Sequence, residues 1–117
     1  MLGGVDAEKL ERVFTNVLDN AAKFTPDGGA ITVRSAREDQ PRGAMTLVEI
    51  ENTGAPIPDD DLPRIFERFF RGDRSRPNAG GSGLGLAIAK ELLELHGGRI
   101  SAANGPNSVT LSMRLPA

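Results

Sequence analysis

The chain has 117 residues, 38% of them hydrophobic and 26% charged, which suits one globular domain around one core. No stretch approaches the roughly 18 apolar residues of a membrane span, and the opening MLGGVDAEKL has neither the basic nor the apolar region of a signal peptide. A net charge of −2 with the signs intermixed, five Phe as the only aromatics and no cysteine argue against a broad nucleic-acid surface, a base-stacking platform, a disulfide framework and the usual structural zinc ligands.

Asp6 stands where an N-cap belongs, ahead of the helical run AEKLERVFTNVLDNAAKF. Leu10, Val13, Phe14, Val17, Leu18 and Ala21 recur at three- and four-residue spacing and predict one apolar stripe. Asn16, Asn20 and Lys23 share a face bordering that stripe. Amide oxygens are hard neutral ligands suited to Mg²⁺, and a lysine one turn on supplies a point charge for phosphate; the plainer reading is a solvated helix surface. Thr25-Pro26-Asp27-Gly28-Gly29 turns the chain.

A strand is predicted over 30–37, a connection over 39–43 and a second strand over 45–51. The loop Asn52-Thr53-Gly54-Ala55-Pro56-Ile57-Pro58 follows. Asn52, at a strand end, can accept from adenine N6–H₂ and donate to N1, or simply open an Asn-Gly-Pro turn. Asp61 is expected to cap a short helix, LPRIFERFF, whose phenylalanines plug the core and could also anchor a lid over a ligand. The polar stretch 71–82, with Arg71, Arg74 and Arg76, reads as that lid, its guanidinium groups suited to phosphate.

Gly80 to Lys90 reads GGSGLGLAIAK, glycines running straight into helix. Backbone N–H groups freed of Cβ crowding and aimed by a helix start hold phosphate well; a flexible linker is the alternative. A helix over 84–96 closes at Gly97-Gly98, and His96 at its end is read as structural. Strands over 99–103 and 108–115 flank the turn Asn104-Gly105-Pro106-Asn107. The order α-β-β-(α)-α-β-β predicts a two-layer α/β sandwich of the α+β class, with helices on one face of a mostly antiparallel sheet.

Taken together these segments resemble the ATP-binding catalytic domain of bacterial sensor histidine kinases, within the gyrase, heat-shock chaperone, histidine kinase and mismatch-repair superfamily. NVLDNAAKFTP is similar to the N box, ENTGAPIP to the G1 box, IFERFFR to the F box, GGSGLGLAIAKELLELHGGRI to the G2 region and NGPNSVTLSMRLP to the closing strand pair. The resemblance covers Asp6 to Pro116. It implies a Bergerat-type sandwich with a mixed, mostly antiparallel sheet and a site for ATP and Mg²⁺ under a flexible lid. Asn20 would be the direct metal ligand with Asn16 beside it, and Lys23, Arg71 and Arg76 would face phosphates. Asn52, Gly54, Ile57, Phe69, Gly81, Ser82, Gly83, Leu84, Gly85, Leu86 and Ser108 would line the nucleotide. The implied activity is protein-histidine kinase, with the acceptor histidine on a separate dimerisation hairpin and a response regulator downstream. This chain, a single domain over 1–117, then looks like a fragment without the hairpin, cytoplasmic in a membrane-anchored parent. The resemblance further implies no nucleic-acid or direct membrane contact by this fragment and no autophosphorylation without the hairpin.

The chain departs from the family pattern at Asn52, where Asp is usual, at Pro56 in place of the second G1 glycine, and at Asn107 in place of a later glycine. These residues keep a nucleotide-binding regulatory module without transfer activity as an alternative. A second alternative is a superfamily ATPase, which would use a carboxylate four residues before the metal-binding Asn; Asn16 holds that position.

Overall fold

The computed structural model describes residues 7–41, 43–68, 70 and 84–116. Helix α1 (Ala7–Phe24) leads into strands β1 (Ile31–Gln40) and β2 (Gly43–Thr53), a single 3₁₀ turn (Leu62–Arg64), helix α2 (Gly85–Leu95), and strands β3 (Arg99–Asn104) and β4 (Ser108–Pro116). The four strands form one sheet in the order β1-β2-β4-β3, and all three pairings are antiparallel. Two helices on one such sheet make the α+β sandwich that the sequence predicts.

Alternation assigns the faces, because paired residues share one. Val109, Leu111, Met113 and Leu115 of β4 are all buried, and Ile50 opposite Leu111 is 2% exposed. Onto this row α1 lays Leu10, Val13, Val17 and Ala21, and α2 adds Ala89 and Leu93. Phe14 packs at the margin of the core, while Leu18, expected in the stripe, lies on the flank of α1 at 38% exposure.

Helix α2 ends in a hydrogen-bond pattern that its Gly-Gly pair makes possible. Gly97 adopts φ +78°, its N–H donates to the Glu94 carbonyl and the Gly98 N–H donates to the Leu93 carbonyl. This Schellman arrangement satisfies carbonyls that the helix end would otherwise leave open. His96 caps the helix, and its Nδ1 lies 2.7 Å from the Leu92 carbonyl, an acceptor only, so that nitrogen carries the proton. A Cβ at Gly98 would collide with the Arg114 backbone carbonyl, so the chain can enter β3 beside β4 only with glycine there.

Three expectations change. The first hairpin is longer than predicted, with strand pairing running from Ile31↔Asn52 to Gln40↔Gly43 around Pro41. Of the predicted helix LPRIFERFF, the described residues are helical only over Leu62–Arg64, as one 3₁₀ turn: Pro63 sits at its start and Asp61 makes no side-chain cap bond. Ile65 and Phe66 still pack against the core, as expected of a plug. The Asp6 cap and the lid over 71–82 lie outside the described residues.

Leu93 is wholly buried and Leu95, two residues on, is 75% exposed. We expect Leu93→Ala to cost about 2–5 kcal/mol of unfolding free energy, and Leu95→Ala less than about 0.5 kcal/mol, by urea denaturation followed by circular dichroism.

Candidate functional site

One wall is the face of α1. Asn16 and Asn20 are half-buried and Lys23 is exposed. Asn16 donates through Nδ2 to the Gly85 carbonyl at 3.2 Å, tying the middle of α1 to the first residue of α2. Leu84 is the N-cap of α2 and makes no side-chain cap bond, while Leu86 packs against the core. A Cβ at Gly85 would meet only open space, so no described neighbour demands glycine at that position.

Eight residues beyond Asn16, about 12 Å along the helix axis, α1 meets the loop that leaves β2. Gly54 has φ +155°, and a Cβ there would press on the Phe24 carbonyl at 2.8 Å. Only a glycine passes this close to the helix end. The Gly54 N–H donates to the Asn107 carbonyl at 2.9 Å, which joins the β2 loop to the β3–β4 turn.

Asn52 is the one buried polar side chain among the described residues, at 6% exposure. Its Nδ2 donates to the Thr53 carbonyl at 3.1 Å and lies 3.4 Å from where a Cβ on Gly54 would stand. In register Asn52 pairs with Val109 and Val109 with Asn104, so the three form one row on the helix side of the sheet. The loop arches over that row and comes down at Ile57, which is 9% exposed. There Asn104 closes two hydrogen bonds on one residue: the Ile57 N–H donates to Oδ1 at 2.9 Å, and Nδ2 donates to the Ile57 carbonyl at 2.7 Å.

Asn104 was not singled out by sequence reasoning, which read it as the first residue of a turn. The signal was present but indirect. Ile57 lies between Pro56 and Pro58, so its N–H is isolated and needs an acceptor from another segment.

The structure therefore places Gly85, with Leu84 and Leu86 beside it in sequence, against α1 at Asn16, and Gly54 against the Phe24 end of the same helix, with Asn20 and Lys23 on α1 between the two ties and Asn52 and Ile57 on the Gly54 side. Ser108 is placed differently. It pairs with Thr53, on the opposite face from Asn52, and its hydroxyl hydrogen-bonds Glu51. Phe69, Arg71, Arg76, Gly81, Ser82 and Gly83 lie outside the described residues. The segment before them is anchored by Arg68 to Glu91 of α2 at 2.6 Å and by Arg64 stacked over the Phe70 ring at 4.6 Å.

Among the described residues no three His, Cys, Asp or Glu side chains stand together as a metal cluster. A divalent ion in this site would rest on amide oxygen and on ligands brought by the nucleotide. That donor set fits Mg²⁺, which keeps waters and binds substrate phosphates, and does not fit a thiolate- or imidazole-bound metal.

Residues 5–117 match the family described as histidine kinase-, DNA gyrase B-, and HSP90-like ATPase. The chain belongs to this family. Within it the chain is similar to sensor kinases. It is 44% identical over 113 residues to the sensor protein VanS of Enterococcus faecium, covering 96% of this chain and 28% of VanS. The mycobacterial sensor histidine kinase MprB superposes with a TM-score of 0.82 at 39% identity, covering 95% of this chain and 74% of that one. Full-length ShkA in complex with AMPPNP superposes with a TM-score of 0.71 at 28% identity, covering 92% of this chain and 21% of ShkA. The domain is thus the catalytic ATP-binding domain of the sensor histidine kinase type, and no helix among its described residues is long and apolar enough to cross a membrane.

On the open face of the sheet, Arg34 of β1 reaches Glu51 at 3.1 Å and Glu49 at 3.6 Å. The Arg34 hydrogen bond, and after it that of Ser108, holds the Glu51 carboxyl below its ordinary value, while Arg34 is raised. A depressed folded-state value means a contribution present above the unfolded-state value and lost as pH falls through the folded one. We expect Arg34→Ala to move the Glu51 titration upward, with Ser108→Ala giving a smaller shift of the same sign, in side-chain carboxyl NMR.

Proposed function

We propose that this chain binds Mg–ATP between α1 and the β2 loop and presents the γ-phosphate to a histidine on a separate helical hairpin of its parent kinase. The observation that carries this reading is the double tie of the site. Asn16 holds the glycine-rich start of α2 against α1, and Gly54 holds the β2 loop against the other end of the same helix. Asn20 and Lys23 lie on the stretch of α1 between those ties. The AMPPNP held by ShkA supports the nucleotide as ligand.

Each group has one task. Asn52 reads the adenine edge through its amide, and Gly54 lets the base approach the backbone. Asn20 offers the amide oxygen for the metal, with Asn16 beside it holding Gly85 through its Nδ2. Mg²⁺, when bound, would supply positive charge that offsets that of the phosphates. Lys23 places a point charge beside them. Arg71, Arg76 and the backbone from Gly81 to Gly85 are assigned to phosphates, and Phe69 and Ser82 to the lid side, on the family resemblance alone. Asn16, at the position where a related ATPase needs a carboxylate base, is an amide that donates to a carbonyl, which favours transfer over hydrolysis. The nucleophile is the partner's histidine, the response regulator is the next acceptor, and the parent holds this domain on the cytoplasmic side of a membrane.

Two experiments test this. Asn20→Ala should weaken Mg–ATP binding about tenfold or more by calorimetry, with ADP binding in EDTA little changed; unchanged Mg–ATP affinity in a folded variant overturns the metal assignment. Incubated with γ-labelled ATP, the chain should remain unlabelled, while an added hairpin from its parent should take up label, slowly because the covalent tether is lost. Label on His96, whose Nδ1 is committed to the Leu92 carbonyl, would contradict the reading. Nucleotide binding with no transfer to the hairpin would make the domain a regulatory nucleotide sensor.

A further inference from the structure

The loop from Thr53 to Ile57 has no secondary structure of its own beyond Thr53, yet it carries Gly54 and Ile57 of the proposed base pocket. It is fixed at two points. At Gly54 the ties are backbone to backbone, to the Asn107 carbonyl and against the Phe24 carbonyl. At Ile57 the tie is a single side chain, the Asn104 amide, which answers both the N–H and the carbonyl of the same residue.

That pairing reproduces across a loop what a narrow pair of an antiparallel ladder does between strands. The two anchor rows are linked by register: Asn104, Val109 and Asn52 are consecutive across β3, β4 and β2. Two strand spacings, about 9–10 Å, separate Asn104 from Asn52. The loop bridges that gap, so where Asn104 holds Ile57 determines how the loop roofs the Asn52 row.

The Pro-Ile-Pro segment makes this hold effective. Prolines fix φ on both sides of Ile57 and restrict Ala55 and Ile57 to extended conformations. A stiff segment moves as a unit, so a tether at its centre places the whole of it. If the tether is removed, the Ile57 N–H and carbonyl at a 9% exposed residue lose their partner together, and the loop must lift to rehydrate them.

We propose that Asn104 is a positioning residue for base recognition: its two hydrogen bonds to Ile57 hold the 53–57 loop over Asn52 and so set the affinity and selectivity for adenine. Asn104 itself touches no nucleotide. The proposal rests on the assignment of Asn52 to adenine, so Asn52→Ala is measured alongside.

The test uses Asn104→Ala and the isosteric Asn104→Asp, which keeps an acceptor for the Ile57 N–H and places a carboxylate oxygen against the Ile57 carbonyl. ADP and GDP affinities are measured by competition against a fluorescent ADP analogue, and amide exchange at Ile57 and Leu111 by NMR. We expect both variants to lose about tenfold in ADP affinity with GDP changed less than twofold, and Ile57 exchange to rise at least tenfold while Leu111 in the core is unaffected. Should Asn104→Ala not fold, Asn104→Asp carries the same expectation alone. A folded variant with wild-type ADP affinity overturns the proposal, as does an equal loss for ADP and GDP, which would mark a general structural role. If Asn52→Ala leaves ADP-over-GDP selectivity intact, the adenine assignment fails, and the clamp's role in recognition fails with it. If Asn52→Ala abolishes selectivity and the Asn104 variants do not lower it, only the clamp inference fails.

Discussion

The rest of this domain depends on β4 lying between β2 and β3. It is the last strand in the chain, yet every row of the core crosses it: Ile50–Leu111–Ala102 and Val48–Met113–Ile100 each run from β2 through β4 to β3. Val109, Leu111, Met113 and Leu115 are the residues on which both helices close. β2 and β3 are joined only through β4, and without it the inner faces of α1 and α2 lose the middle of their floor. The consequence is a fold of non-local contacts, in which apolar burial is completed only when the C-terminal strand inserts.

The same insertion builds the site. Since β2 and β3 are not neighbours, the chain leaving β2 must travel over the end of β4 rather than turn tightly into the next strand. It carries Gly54 past the end of α1 and Ile57 to Asn104. The β3–β4 turn lies under this path and presents the Asn107 carbonyl to the Gly54 N–H. A connection forced by topology thus becomes a wall with a defined position. The open face of the sheet plays no part in that wall: it carries the cross-strand ion pairs of Arg34 with Glu49 and Glu51 and of Arg114 with Glu38, all of them half-buried or exposed.

How much of this could be read in advance follows from the range of each interaction. The helix stripes, the alternation of β3 and β4 and the Gly97-Gly98 terminator are local patterns that appear in the structure, whereas Ile31 and Val33, which alternate in sequence, stay exposed on the edge strand β1. Leu18 and the segment after Asp61 were misjudged because periodicity does not say where a neighbouring element stops. Leu18 lies on the exposed flank of α1, and Ile65 and Phe66 pack against the core from turns rather than from a helix. Motif order groups the N-box and G1 residues, and the structure puts the first on α1 and the second at the end of β2 and in its loop, while Ser108 was assigned without the register that sends its hydroxyl to Glu51 on the far face. Asn104 was legible only indirectly, through the isolated N–H of Ile57 between two prolines. That partner is 47 residues away, and only the β1-β2-β4-β3 order brings the two together.

The departures from the family pattern in the loop make sense as one arrangement. A carboxylate at the position of Asn52, 6% exposed, would carry a charge into a site that offers it little solvent, whereas the neutral amide settles on the Thr53 carbonyl at far lower desolvation cost. Pro56 removes an N–H, but the donor that is held in this segment belongs to Ile57, and it goes to Asn104. Proline in place of glycine also narrows the unfolded ensemble, so less entropy is lost when the loop is fixed. Flexibility and charge are replaced here by a stiff Pro-Ile-Pro segment and two amides, one beneath the loop at Asn52 and one at its far anchor at Asn104. A wall held by such ties has less freedom to lose on binding, and preorganisation of that kind lowers the cost of binding without adding a contact.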